Sequence, residues 1–244
     1  MRSANPALNA NTFRDLTGST GSKTMTIAGT VNKTALAVLL LMTTAIYVWN
    51  LPLGSPRASL YMMVGVIGGF ITALITIFRK HWAPTTVPIY ALLEGLFLGG
   101  ISRIFDARYP GVANQAVFLT FGILAALLVA YKSGLIKPTE NFKLGVAAAT
   151  GGVAFVYLIS WIVGMFGMAV PVIHSNSGFG ILFSLVVVGI AALNLVLDFD
   201  FIEEGAERGV PAYMEWYGAF GLLVTLIWLY LELIRLLSKL SSRR

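Results

Sequence analysis

Long apolar runs alternate with short polar connections along most of the chain. Seven runs reach about 20 residues, the length that a helix needs to cross the hydrocarbon core of a bilayer. They cover residues 34–50, 58–78, 86–105, 112–131, 144–166, 178–198 and 217–237. The connections are too short for a soluble domain, so residues 31–244 are predicted to form one all-α transmembrane domain, a seven-helix bundle.

Residues 1–30 lack such a run and are rich in Ser, Thr, Asn and Gly. A secretory signal peptide requires an apolar core, so none is predicted here. We interpret this segment as a polar N-terminal tail. It is either a flexible extension or a docking or gating segment that Phe13 anchors.

Composition agrees with a membrane protein. Charged residues make up 11% of the chain, whereas soluble domains carry about 25%. The net charge of +6 would favour nucleic-acid binding in a soluble protein. Here the basic residues lie beside apolar runs, where they determine topology, so no nucleic-acid partner is predicted. Cysteine is absent and His81 and His174 are the only histidines, which excludes disulfides and histidine-rich metal sites.

The distribution of Lys and Arg predicts the orientation. Over the first six runs, ten of these residues fall on the N-terminal side and three on the other side. Positive charge is enriched in cytoplasmic loops, so the N-terminus is predicted to be cytoplasmic. The basic residues after the seventh run oppose a full seventh crossing, so that helix either spans the membrane or re-enters it.

Three carboxyl side chains lie within the apolar runs. Glu94 is in the middle of the third run, Asp198 closes the sixth, and Glu232 is in the seventh. An ionisable group in hydrocarbon costs several kcal/mol unless it is paired or hydrated, so such residues are functional candidates. Asn194 precedes Asp198 by four residues and therefore lies on the same helix face.

Each carboxyl also has a structural interpretation. Asp198 could end its helix at the membrane interface, followed by a solvated loop that contains four more acidic residues. Glu232 could pair with Arg235 three residues later, and Glu94 could form an internal hydrogen bond as a protonated acid. Three carboxyls in the apolar runs weaken these interpretations, because no buried Lys is expected to neutralise the three negative charges.

Convergence of these carboxyls would have two chemical consequences. Like charges held close together cannot all ionise, so the group would share a proton and form a pH-sensitive latch. An oxygen-rich cluster also suits calcium, whereas zinc and copper prefer His or Cys.

Motifs for catalysis are missing from the sequence. There is no H-E-x-x-H, and no histidine lies in an apolar run where it could serve as a base. Ser102 and Ser160 have no recognisable partner for nucleophilic catalysis. We therefore predict that the protein is not an enzyme and carries no cofactor.

The residues around the end of the sixth run resemble the Bax inhibitor-1 family, also called the transmembrane Bax inhibitor motif family. In that family an Asp is followed six positions later by an acidic residue and by Ala-Glu-x-Gly, as at Asp198 and Glu204 here. Further similar stretches are Tyr230-Leu-Glu232 in the last run, the pair Glu94-Gly95, and the opening Ser3-Ala-Asn-Pro-Ala-Leu-Asn9 with Thr12-Phe13, which resembles a prokaryotic branch.

The resemblance covers essentially the whole chain and implies a last helix at the centre of two three-helix layers. It also implies a pH-dependent calcium leak governed by two paired acidic residues, which correspond to Asp198 and Glu232. The family pair is commonly Asp–Asp, whereas Glu232 is one methylene longer. Asp200 is an alternative to Asp198, because it is in register with a shorter alignment. We place Glu94, Asn194 and Asp200 in the ion path. Calcium would be held by Asp198, Glu232 and Glu94.

The first functional prediction is a pH-sensitive calcium leak channel in the bacterial inner membrane. Its partners would be the lipid bilayer, calcium and protons. One alternative is a membrane-embedded regulator of a quality-control membrane protease, for which the N-terminal tail would matter and the carboxyls would not. Another is a proton-coupled secondary transporter, which would saturate with substrate and show exchange.

Overall fold

The residues that the structure describes fold into seven long helices. A computed structural model describes residues 23–166 and 177–243, so most of the N-terminal tail, including Phe13, lies outside the described residues. The helices are α1 Ile27–Trp49, α2 Pro56–Phe78, α3 Ala83–Arg108, α4 Val112–Lys132, α5 Glu140–Met165, α6 Gly178–Glu207 and α7 Met214–Ser241, with a 3₁₀ turn at Lys80–Trp82 before α3. All seven are long and apolar enough to cross a membrane, which confirms the predicted all-α, multi-pass architecture.

Short polar side chains begin several of these helices. Thr26, Ser55 and Thr139 precede α1, α2 and α5, and each accepts a hydrogen bond from the backbone N–H three residues later. This bond satisfies one of the N–H groups that a helix leaves without a partner in its first turn. The caps explain why α1 and α5 begin several residues before the apolar runs that predicted them.

The sixth helix is longer than its apolar run. α6 continues to Glu207, so the acidic segment that was predicted to be a solvated loop is helical instead. Phe201, Ile202 and Gly205 are buried in this segment, whereas Glu203 and Glu207 are exposed. The segment is thus an amphipathic end of a helix, with Glu203 and Glu207 on its exposed face. The chain reverses only after α6, where Gly209 adopts a φ of +61° that other residues rarely tolerate.

The described residues form two compact units. One contains 109–166, 177–199 and 225–243, and the other contains 23–108 and 200–224. Two of the three boundaries, at 199/200 and 224/225, fall inside helices, so α6 and α7 each contribute to both units. We call them the α4–α5 unit and the α1–α3 unit.

Glycines bring the helices of the α1–α3 unit into close contact. A Cβ atom at Gly99 would lie 2.2 Å from the backbone oxygen of Ala45 in α1, and one at Gly65 would lie 2.6 Å from the backbone oxygen of Leu93 in α3. Small residues at four-residue spacing allow such backbone contact in lipid. Glycine at these two positions therefore lets the helix backbones touch.

The last two helices are the most buried. In their most apolar stretches 67% of α7 and 50% of α6 is buried, against 11% for α5. α7 runs unbroken for 28 residues, which at 1.5 Å per residue is about 42 Å and long enough for a full crossing. The arrangement of two three-helix layers around α7 stays a prediction.

Candidate functional site

Asp198 lies fully inside the protein. Its exposed fraction is 0%, and α6 continues past it to Glu207, so it does not end its helix at an interface as the structural interpretation required. Ionisable groups with no solvent contact are rare in membrane helices and face the protein interior when they occur. Asp198 therefore retains its place as a candidate for function.

Asn194, one turn before Asp198, is also buried and is held by two hydrogen bonds. Its Nδ2 donates to the backbone oxygen of Ile190 and to Oγ1 of Thr150 in α5, each at 2.8 Å. Because a carbonyl oxygen can only accept a hydrogen bond, the NH2 end of the amide must face Ile190. Oδ1 is consequently directed elsewhere, and it is buried without a hydrogen-bond partner among the described residues. This oxygen is the free acceptor that an ion path along α6 would use.

Glu232 forms a hydrogen-bonded cluster with Arg235 and Tyr157. Nη1 of Arg235 donates to both carboxylate oxygens, at 2.9 and 3.0 Å. The Tyr157 hydroxyl of α5 donates to Glu232 at 2.8 Å and accepts from Arg235 at 2.6 Å. The pairing of Glu232 with Arg235 on its own helix is thus confirmed. Tyr157 was missed, because its sequence spacing gives no sign of the contact.

Asp198 and Glu232 belong to the same unit and are 0% and 2% exposed. They lie on the last two membrane-crossing helices, as the resemblance implies. The oxygens of Glu232 accept hydrogen bonds from Tyr157 and Arg235. The proton-sharing pair stays a prediction.

Glu94 lies in the α1–α3 unit, near the middle of α3. Its carboxyl faces the bare backbone of Gly69 in α2, where a Cβ atom would come within 2.7 Å of Oε1. Tyr90, one turn earlier, supplies a side-chain hydrogen bond to this carboxyl. The Tyr90 ring is buried and packs edge-on against Phe220 of α7, with 5.0 Å between ring centroids. A tyrosine that donates to the carboxylate does not require Glu94 to be protonated, so the protonated acid of the structural interpretation stays a prediction.

Asp200 belongs to the same unit as Glu94 and is half-buried. The predicted residues are thus divided, since Asn194, Asp198 and Glu232 belong to the other unit. Within 23–166 and 177–243, no three His, Asp or Glu side chains group closely enough to hold a metal ion. A calcium ion on this path would need amide, hydroxyl or backbone oxygens as further ligands.

Two lysines are buried, contrary to the sequence-based expectation. Lys239 is 5% exposed, and its ammonium donates to the backbone oxygen of Gly180 and to Oγ of Ser184, at 3.0 and 2.8 Å. Lys143 is 6% exposed and lies 3.8 Å from the Glu140 carboxylate. Lysines near helix ends usually extend their charge into water, which is why the sequence did not indicate these. The α4–α5 unit therefore buries charges of both signs.

Glu215, in the first turn of α7, is a further buried carboxyl that sequence analysis did not identify. Its Oε1 accepts from the backbone N and from Oγ1 of Thr26, at 2.9 and 2.8 Å. Its Oε2 pairs with Lys33 of α1. We call Thr26, Lys33 and Glu215 the cap cluster, because it links the first turns of the first and last helices.

Backbone hydrogen bonds extend this link. Met25 N donates to the oxygen of Val210 at 2.7 Å, and Ala212 N donates to the oxygen of Lys23 at 2.9 Å. Six helices lie between these two segments, and an even number of crossings returns a chain to the same side of a membrane. The contact therefore agrees with six full crossings by α1 to α6.

These features define a polytopic membrane protein whose last two crossings carry carboxyl groups sealed from solvent. A family model described as Bax inhibitor 1 like matches residues 5–242, and the chain belongs to that family. Searches of curated proteins and of solved structures gave no significant match.

Proposed function

We propose that this protein is a pH-sensitive leak channel for calcium. The observation that carries the proposal is the burial of Asp198 and Glu232, at 0% and 2% exposure, on the two most buried membrane-crossing helices. Carboxylates at such positions are costly to bury, and those that occur in membrane helices commonly mark ion or proton paths. They also provide the hard oxygen ligands that calcium prefers.

Gating follows from the electrostatics of two carboxyls in a medium of low polarity. Two unscreened anions repel strongly there, so the closed state holds one proton between Asp198 and Glu232. Rising pH removes that proton, and the repulsion that results opens the path. Glu232 also contacts Arg235 and Tyr157, so the Arg235 guanidinium offsets part of this repulsion while it stays on Glu232.

The remaining predicted residues serve conduction within their own units. Glu94 attracts a divalent cation, Asp200 adds a second carboxylate, and the free Oδ1 of Asn194 replaces part of the hydration shell of the ion. The protein would lie in a bacterial inner membrane with a cytoplasmic N-terminus, and it would act without catalysis or a bound cofactor.

Calcium flux into proteoliposomes across a pH series tests the proposal. The wild-type protein should leak more calcium as the pH rises, and Asp198→Asn with Glu232→Gln should remove the pH dependence. Glu207→Gln is the matched control, since this carboxyl lies on the same helix as Asp198 but is exposed. An unchanged pH profile in the folded double variant would refute the gate.

The same assay separates the two alternatives. A proton-coupled transporter would show saturation and exchange of calcium across the vesicle membrane. A protease regulator would give flux no higher than empty vesicles, and its activity would depend on the N-terminal tail rather than on the carboxyls.

A further inference from the structure

Glu232 already has a cation as its partner, and that cation is part of the protein. The Arg235 guanidinium reaches both carboxylate oxygens and lies one turn along the same helix. A carboxylate that is neutralised in this way has little attraction left for a second cation, because one guanidinium balances its charge.

Tyr157 fixes the position of this internal cation. Its hydroxyl bridges Glu232 and Arg235, and the guanidinium carbon lies 5.3 Å from the centroid of its ring. The ring is braced edge-on by Phe183 of α6, with centroids 6.4 Å apart. Groups from three helices therefore hold the guanidinium on Glu232, so the contact is built into the packing of the unit.

Lys239 adds a second positive charge one turn beyond Arg235. Both of its hydrogen-bond acceptors, the Gly180 oxygen and the Ser184 hydroxyl, are neutral, so they leave its charge uncompensated. A buried ammonium with neutral partners costs folding free energy, and it repels any cation that approaches along this part of α7.

We propose that Arg235 is a tethered competitor for the cation site at Glu232, positioned by Tyr157 and reinforced by Lys239. A calcium ion can use Glu232 only after the guanidinium has left it. The inference rests on the proposed function for its physiological meaning, but the competition itself is a binding property that does not require flux.

Calcium binding to the purified, detergent-solubilised protein tests the competition, with isothermal titration of calcium chloride as the measurement. Arg235→Gln should tighten calcium binding by roughly tenfold, which corresponds to about 1.4 kcal/mol. The gain should vanish in Arg235→Gln with Glu232→Gln. Arg235→Lys keeps the charge and should bind calcium as weakly as the wild type. Lys137→Gln is the control for a lost positive charge, because this lysine is exposed in the connection between α4 and α5.

An unchanged calcium affinity in folded Arg235→Gln overturns the inference, and so does an absence of binding in every variant. If Arg235→Gln does not fold, Tyr157→Phe replaces it. That variant removes only the bridging hydroxyl, and it should tighten binding to a smaller extent, whereas an unchanged affinity overturns the proposal. Failure of the proposed function looks different, because vesicles would show no leak while the gain in calcium affinity persisted.

Discussion

The cap cluster offers a quantitative test of the packing between α1 and α7, through the substitution Gly29→Ala. A Cβ atom at position 29 would lie 2.1 Å from Oε1 and 2.5 Å from Oε2 of Glu215. These atoms are the end of a flexible side chain, so the carboxylate would move and the backbone would stay. Moving it breaks the hydrogen bonds from Thr26 and the pair with Lys33.

The magnitude follows from those lost contacts. Hydrogen bonds to a charged group contribute about 1.5–3 kcal/mol each, and part of this is recovered as the displaced carboxylate finds water. We take the loss as about 3 kcal/mol, at the lower end of what breaking a buried pair costs. Replacing Gly by Ala inside a helix returns about 1 kcal/mol. Gly29→Ala should therefore lower the free energy of unfolding by about 2 kcal/mol.

Unfolding of the purified protein in mixed micelles by sodium dodecyl sulfate, followed by circular dichroism, measures this change. Gly122→Ala is the control, since Gly122 lies in a helix with nothing within 4 Å of an added Cβ, and it should be neutral or stabilising. In a Glu215→Ala background, Gly29→Ala should become neutral or stabilising too, because the obstructing carboxylate is gone. Additive effects of Gly29→Ala and Glu215→Ala would refute the reasoning, since residues in contact must couple.

Two further predictions concern the ion path and the topology. Glu94→Gln keeps the shape of the side chain and removes its charge, so calcium flux in proteoliposomes should fall while the protein remains folded; flux equal to wild type would exclude Glu94 from the path. A reporter that is active only in the cytoplasm should give a signal when it is fused before Met1, and a silent but well-expressed fusion would reverse the orientation.

The sequence predicted the seven long helices because the thickness of a bilayer dictates the length of an apolar run. The residues at which the helices begin and end were less predictable. The acidic residues near the end of α6 resembled a loop by composition, but burial of Phe201 and Ile202 on the opposite face keeps this segment helical.

The candidate site was predictable only in part. A carboxyl in an apolar run is visible in the sequence, and burial of Asp198 and Glu232 agrees with that signal. The partners of these carboxyls are not visible, because they come from distant positions. Tyr157 lies 75 residues from Glu232, and Thr26 lies 189 residues from Glu215. Hydrophobic periodicity reports which face of a helix is buried, but it carries no information about which helices meet.

The long separation within the cap cluster sets the order in which the chain can be completed during synthesis. Thr26 leaves the ribosome 189 residues before Glu215, and at about 5–20 residues per second this interval lasts roughly 10–40 s. Throughout that time Lys33 lacks the carboxylate that it pairs with in the finished protein, and residues 23–25 lack their backbone partners. The contacts of the cap cluster can therefore form only after the first turn of α7 has been synthesised.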